Sequence, residues 1–315
     1  MPTQPLRPGA LQWQVFRGSE AVARGLLTGH QLRSKAWVRI RHDVYADARL
    51  DRDHRLACRA TMARLPDTDA VLAGPSAAYL HGVRHAAGVD DEVHVIVPID
   101  RRASSQRGIC LHRVLLDLAD TQVVDGMPAT TPPRTAWDVA VWRPLTESVP
   151  LIDSLLRLGR VTPEQLSQAA NRLSRRPGGR RAQHAFDLAD LGAPSRAESE
   201  LRMRLILSGL PRPVAQPQLP MPDGTTLRPN LAWPAHRVAI EYGGVRDAGP
   251  QELDRQRFDA LVFDGWRVLH VTGHRVRHDF PAVVRQARDA LRAQARRAPP
   301  IGRCEAVDHR RELVP

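Results

Sequence analysis

Residues 228–242 read Arg228-Pro229-Asn230-Leu231-Ala232-Trp233-Pro234-Ala235-His236-Arg237-Val238-Ala239-Ile240-Glu241-Tyr242. Two short apolar runs, Leu227–Trp233 and Val238–Tyr242, flank a proline-containing break, so the stretch predicts two strands. Upstream, Ser195 to Ser208 predicts a helix opened by the capping-box spacing Ser195…Glu198. Pro211 to Pro222 is irregular, and Asp223-Gly224 marks a hairpin turn. Downstream come a helix over Glu252–Phe263 ending near Gly265, a β-branched strand over Trp266–Val271 and a last helix over Pro281–Gln294. Residues 191–295 therefore predict one α/β domain, and residues 296–315 a polar, disordered tail.

Working toward the N-terminus, residues 146–190 read as a helical linker, with Thr162-Pro163-Glu164 a helix start. An arginine-rich break contains Arg175, Arg176, Arg180 and Arg181. Residues 51–145 predict a mixed α/β module. It has a helix over Arg55–Leu65, a small-residue helix capped by Ser76, strands at Val93–Pro98 and Ile109–Val114, and a helix from Pro132. Residues 17–50 predict two short helices and a basic hairpin. Ser19 caps the first, which runs to Arg24. Thr28 and Gln31 have capping-box spacing for the second, which runs to about Ala36. Trp37–Arg41 and Val44-Tyr45 form the hairpin about a His42-Asp43 turn. This is the layout of a winged helix-turn-helix, with residues 1–16 a flexible arm. Gln31, Arg33 and Lys35 would face a major groove, and Arg39 and Arg41 backbone phosphates.

The chain has 315 residues, 42% hydrophobic and 25% charged, with a formal net charge of +12. Length suggests about two domains at ~150 residues each. No run approaches the ~18 apolar residues of a membrane span, and Met1–Trp13 lacks the apolar region of a secretory signal. Cys58, Cys110 and Cys304 are too scattered for a disulfide framework or a zinc knuckle, so the expectation is a cytoplasmic protein with reduced thiols. Lys35 is the only lysine, which is what a high-GC genome writing arginine codons would give, so total basicity is weak support for nucleic acid. Local concentration is stronger: Arg17, Arg24, Arg33, Lys35, Arg39 and Arg41 face only Glu20 between Arg17 and His42, and the Arg172–Arg181 stretch holds five arginines and no acid. Two such clusters point to a polyanion such as double-stranded DNA. Walker loops, GxGxxG and GxSxG elbows are absent. The pairs His81/His85 and His274/His278 have helical spacing but no accompanying cysteine pair or glutamate, and read as ordinary surface or core histidines.

Two resemblances sharpen these expectations. Glu198, the Arg228–Pro234 and Val238–Gly244 strands, Asp254-Arg255-Gln256-Arg257-Phe258-Asp259-Ala260-Leu261 and Gly265-Trp266-Arg267-Val268-Leu269 resemble, in order and spacing, the very-short-patch-repair-like nucleases. These belong to the PD-(D/E)XK restriction-endonuclease-like fold, a mixed sheet flanked by helices. The resemblance covers about 195–292 and implies acidic side chains converging on Mg²⁺, which activates water and neutralises the phosphate. It makes Glu198 and Glu241 metal ligands, and Glu198, Asn230 and Glu241 the catalytic set at one sheet edge. The family has aspartate where Asn230 stands, Asp-Gly where Gly243-Gly244 stand, and a histidine near Asp247. An asparagine lacks the charge that favours Mg²⁺, so the site reads as degenerate, with Asp247 a possible substitute acid. Leu26-Leu27-Thr28, Gln31-Leu32, Ile40-Arg41-His42-Asp43-Val44-Tyr45, Ser76-Ala77-Ala78-Tyr79-Leu80-His81-Gly82, Thr130-Thr131, Arg134-Thr135 and Asp138 resemble AbiEi-family antitoxins over about 17–165. Those antitoxins usually carry glycine at the Asp43 position. That resemblance implies operator DNA for the helix-turn-helix and regulation or partner contact for the second domain. The leading expectation is an α+β DNA-binding regulator or antitoxin with an inactive nuclease-like domain. The alternatives are an active metal-dependent endonuclease or nicking enzyme, and an antitoxin acting mainly by contact with a cognate toxin.

Overall fold

The computed structural model describes residues 6–66, 68–101, 103, 106–221, 224–243 and 261–297. The chain forms two compact units, Met1–Glu200 and Leu201–Pro315, of mixed α/β structure. The expected disordered tail, most of the Glu252–Phe263 helix, Gly244 and Asp247 lie outside the described residues. None of the described helices is long and apolar enough to cross a membrane.

The first unit begins with a three-stranded antiparallel sheet. β1 (Val15–Arg17) pairs with β3 (Val44–Asp47), and β3 with β2 (Trp37–Arg41), in the order β1-β3-β2. β1 falls partly in the segment expected to be a loose arm. Phe16 explains its order: the ring meets Trp37 edge-on at 5.1 Å and stacks on Tyr45 at 6.2 Å. The Trp13 amide also donates to the Asp47 carboxylate at 3.0 Å. Helix α1 (Gly18–Ala23) follows β1, but Ser19 is not its cap. Instead the Ser19 amide donates to Asp43 Oδ1 at 2.8 Å, and the Ser19 hydroxyl to Asp43 Oδ2. Asp43 holds a φ of +58°, in the left-handed region that favours glycine. An aspartate can stand there because its carboxylate receives an N–H from the first turn of α1.

The second helix expected over 28–36 is only a 3₁₀ turn, Gln31–Arg33. Its capping box is present: the Thr28 amide donates to Gln31 Oε1 at 2.7 Å and the Gln31 amide to Thr28 Oγ1 at 3.2 Å. Propagation fails because Ser34 turns extended and Ala36 and Trp37 are drawn into the core with Leu11, Phe16, Ala21, Leu27 and Leu32. A short turn carries little helical stability of its own, so tertiary burial decides.

The rest of this unit is a five-stranded sheet and a helical layer. The strands are β4 (Val71–Leu72), β5 (Val93–Ile96), β6 (Ile109–His112), β7 (Thr121–Val124) and β8 (Met127–Thr130), in the order β6-β5-β4-β8-β7. β5–β6 and β4–β8 are parallel, while β4–β5 and β7–β8 are antiparallel. Leu72, Val93, Val95, Ile109 and Ala129 bury one continuous core with Ala57 and Cys58 of α2 (His54–Arg64) and Ala77 and Leu80 of α3 (Gly74–Leu80). Asp53 caps α2 by accepting the Leu56 amide. Helices α4 (Pro132–Trp142), α5 (Leu145–Arg157), α6 (Pro163–Leu173) and α7 (Gly179–Leu188) form the helical layer, with α4 touching the other three. Thr162 and Gln165 complete a reciprocal capping box at the start of α6.

Helix α8 (Arg196–Leu207) leads into the second unit. There β9 (Val214–Ala215), β12 (Leu231–Trp233), β13 (Val238–Gly243) and β14 (Arg267–Thr272) form a sheet in the order β14-β13-β12-β9. A separate hairpin pairs β10 (Leu219–Pro220) with β11 (Thr226–Leu227). β12–β13 are antiparallel and β13–β14 parallel, so the sheet is mixed. Helix α9 (Gly273–His278) follows β14, and α10 (Phe280–Arg297) touches β13 and β14. Val283, Ala287, Ala290 and Leu291 are buried, giving α10 one apolar face at helical spacing.

Candidate functional site

Around the β2–β3 hairpin the first unit carries two adjoining grooves of about 510 and 470 Å³. Arg64 of α2 and His42 line both. Arg41 and Arg107 line one, and Arg17 and Arg39 the other. Arg39 is exposed. Arg17 lies 3.5 Å from Asp43, and its charge is partly balanced there. Sequence reading missed Arg64 and Arg107, because their convergence on the hairpin is set by tertiary packing and by no local pattern.

Arg41, expected at a phosphate, is a structural residue. Its guanidinium donates to the carbonyls of Arg107 and Gly108 at 3.1 and 3.0 Å, and burial lowers its pKa. Gln31 spends its amide oxygen on the Thr28 cap. Arg33 and Lys35 are exposed, but on a 3₁₀ turn and its extended exit rather than on a recognition helix.

The Arg172–Arg181 stretch divides in the same way. Arg172 joins Arg134 in pairing with the buried Asp120. Arg176 donates to the Leu115 carbonyl, and Arg181 to the Arg143 carbonyl at 2.7 Å. Arg175 and Arg180 are exposed. Three of the five arginines therefore tie α6 and α7 to the rest of the unit.

The residues between Ser76 and Asp138 on which the antitoxin resemblance rests form a buried scaffold. Ser76 lies within α3 rather than capping it. Its hydroxyl accepts the His94 amide at 2.9 Å and sits 2.9 Å from His54 Nε2, whose Nδ1 lies 2.9 Å from the Gly88 carbonyl. Tyr79 donates to Asp53, and His81 Nε2 lies 2.8 Å from the Thr130 carbonyl. Arg134 bridges Asp120 at 3.1 Å and Asp138 at 2.9 Å, all three side chains being 2% exposed. Asp138 Oδ2 is buried without a hydrogen-bond partner. Burial pushes the Asp138 carboxyl up to about 7 despite Arg134, whereas Arg172 and Arg134 together hold Asp120 below its ordinary value against the opposing effect of burial.

In the second unit, β12–β13 pairing sets Leu231 opposite Ile240, which places Asn230 beside Glu241 at the end of β12. β13–β14 pairing sets Glu241 opposite His270. The three form a row across the sheet, with His270 supplying an imidazole the sequence reading did not find. Asn230 Oδ1 accepts the Tyr242 amide at 2.8 Å. The amide oxygen that would replace a metal-binding carboxylate is thus engaged with backbone. Glu198 stands in the first turn of α8, 7% exposed, and accepts the Ser195 hydroxyl at 2.8 Å while its amide donates back to Ser195 Oγ. That is the expected helix-start interaction. Among the described residues, His94, Cys110 and His112 bring their ligand atoms together.

Comparison with known proteins bears on the first unit. Residues 69–188 match the family model of the AbiEi antitoxin C-terminal domain. That span runs from just before β4 to the end of α7, leaving the β1–β3 sheet outside it. Two uncharacterised Mycobacterium tuberculosis proteins, MT2308 of strain CDC 1551 / Oshkosh and Rv2248 of strain ATCC 25618 / H37Rv, are each 29% identical over 256 residues. The alignments cover 79% of this chain and 90% of theirs. Among solved structures, the crystal structure of the RV2827C protein from Mycobacterium tuberculosis aligns with a TM-score of 0.40 and 20% identity, over 64% of this chain and 78% of that one.

Proposed function

We propose that the chain is a DNA-binding protein of the antitoxin type, which holds duplex phosphates in the grooves beside the β2–β3 hairpin. The observation that carries this is the convergence of Arg17, Arg39, Arg64 and Arg107 on two adjoining grooves. Arginines lining a concave surface offer contacts to backbone phosphates, and such contacts read little sequence by themselves. In this reading the hairpin is the wing and the Gln31–Arg33 turn is a reduced recognition element. The AbiEi-like 69–188 domain supplies the regulatory half, where a toxin partner would dock.

The nuclease-like reading of residues 191–295 is supported by topology: an antiparallel pair followed by a parallel strand, with carboxylate, amide and imidazole side by side. Mg²⁺ would be the ion such a site takes. Glu198 and Glu241 would be its ligands, and Asp247 its possible substitute acid. The Asn230–Tyr242 hydrogen bond argues for a site that positions little metal, so this domain is a surface for DNA or protein rather than a working endonuclease.

The test is fluorescence anisotropy with labelled duplexes of unrelated sequence. Joint replacement Arg39→Ala and Arg64→Ala should weaken binding on every duplex, because phosphate contacts are shared by all. Unchanged affinity on all of them would remove the grooves from the interface. Plasmid incubated with Mg²⁺ or Mn²⁺ should stay intact. Nicking that is abolished by Glu241→Ala would replace the degenerate-site reading with the enzyme.

A further inference from the structure

Strands β5 and β6 run parallel, with His94 opposite Cys110 and Ile96 opposite His112. Strand alternation therefore sets His94, Cys110 and His112 on one face of the sheet. His94 Nδ1 lies 2.9 Å from His112 Nε2, and Cys110 Sγ 3.4 Å from the same nitrogen. All three ligand atoms fall within 4.8 Å of one another, and no other group of His, Cys, Asp or Glu among the described residues converges in this way. Trp142 of α4 lies flat on His112, with ring centroids 3.4 Å apart and planes 3° from parallel. Trp142 has room because residue 74 is glycine: with φ at +51°, an added Cβ there would stand 2.6 Å from the indole. Packing thus fixes the His112 ring before any ligand arrives.

We propose that His94, Cys110 and His112 bind one divalent transition-metal cation of the zinc class. Two imidazoles and a thiol suit Zn²⁺ and its neighbours, whereas Mg²⁺ and Ca²⁺ require oxygen donors. Bonds of ~2.0 Å to nitrogen and ~2.3 Å to sulfur at tetrahedral angles separate ligand atoms by ~3.4 Å (N to N) and ~3.6 Å (N to S). The two observed separations, 2.9 and 3.4 Å, reach those values by expansions of about half an ångström or less, within side-chain rotation. Burial holds His94 down to about 3 and His112 to about 4, so both rings are neutral lone-pair donors at pH 7. Burial raises the Cys110 thiol, so the bound form makes one metal–sulfur bond and releases one proton to water. A cavity of about 550 Å³ lined in part by Cys110 and Glu92 opens to solvent at the cysteine, and water would supply the fourth ligand.

Arg143 opposes the cation. Its Nη2 lies 3.3 Å from His94 Nε2, and its Nη1 3.6 Å from Glu147. Without metal it donates to His94 Nε2, which leaves the ring proton on Nδ1, between the two histidines. Ligation through Nδ1 moves that proton to Nε2 and turns the guanidinium toward Glu147. Arg143 is therefore a restraint on affinity, and its removal should tighten binding.

The probe is Co²⁺ added to the full chain carrying Cys304→Ser, which removes a thiol outside the described residues. One equivalent should produce a thiolate-to-cobalt charge-transfer band that Zn²⁺ then bleaches. Cys110→Ser should abolish the band. His112→Gln should weaken Co²⁺ binding roughly tenfold or more, and Arg143→Gln should strengthen it. Far-ultraviolet circular dichroism checks that each variant is folded, and His94→Gln serves if Cys110→Ser is not. Absence of the band in the parent chain, or a band undiminished in a folded Cys110→Ser or His94→Gln variant, would overturn the site.

Discussion

The arginines of 172–181 and those around the β2–β3 hairpin have opposite histories. The first group is dense in sequence and largely consumed by the fold: Arg172 serves Asp120, Arg176 a carbonyl of Leu115, and Arg181 a carbonyl of Arg143. The second is scattered over ninety residues, from Arg17 to Arg107, yet converges on adjoining grooves. A charge run along the chain measures composition. Charge that folding leaves pointing into one concavity is what a polyanion meets.

The largest effect that would sharpen this comparison is in the buried network that Arg172 of the first group joins through Asp120. Arg134→Ala leaves Asp138 buried without its cation and Asp120 with only half-exposed Arg172. Breaking a buried pair by removing one partner costs about 3–5 kcal/mol, to be read from denaturant unfolding. A loss below ~1 kcal/mol would mean that this network is not what anchors α4 and α6 to the sheet.

A second effect follows from Asp138. Its folded pKa, about 7, lies above the ordinary carboxylate value. A raised pKa contributes stability that is complete below the unfolded pKa and is lost as pH rises through the folded one. The first unit should therefore lose stability between about pH 4 and pH 7 and level off above, and Asp138→Asn should flatten that slope. Asp120, shifted down, acts in the opposite sense and only at acid pH, as its carboxylate is protonated. A slope unaltered by Asp138→Asn would show that the carboxyl is ionised and fully compensated.

The smallest effects separate members of the same run. Arg175→Ala and Arg180→Ala should each change stability by no more than about 0.5 kcal/mol, as exposed substitutions do. Arg176→Ala and Arg181→Ala should each cost more, about 0.5–1.5 kcal/mol, through a lost hydrogen bond at a solvent-exposed site. Equal costs across the four would mean that the Leu115 and Arg143 contacts contribute nothing.

Legibility in the sequence followed the range of the interactions. The Thr162-Pro163-Glu164 helix start, α2 with its apolar face, the hairpin and strands β5, β12, β13 and β14 could be read because their signals are local. β1, β4 and the β7–β8 hairpin are two to four residues long and exist through distant partners, so periodicity had nothing to register. The 28–36 helix was wrong because the cap was real but the burial of Ala36 and Trp37 prevailed. Asp43 looked like a departure from a glycine position, and its compensation, a bond to the Ser19 amide, is visible only in three dimensions. Asn230 and Glu241 could be placed together by strand pairing, while His270 required the register of β14. The His94–Cys110–His112 group was hidden because its ligands come from two strands whose alignment no spacing rule encodes.

The most direct test of the central claim is the salt dependence of duplex affinity. It compares the parent protein, Arg39→Ala with Arg64→Ala, and Arg175→Ala with Arg180→Ala. Each neutralised phosphate contributes about 0.9 to the log–log slope, so removing two groove contacts should reduce the slope by about 1.8. The Arg175/Arg180 pair should leave most of it intact. A slope that survives loss of the groove arginines and collapses with Arg175 and Arg180 would contradict the account and place the DNA surface on the helical layer.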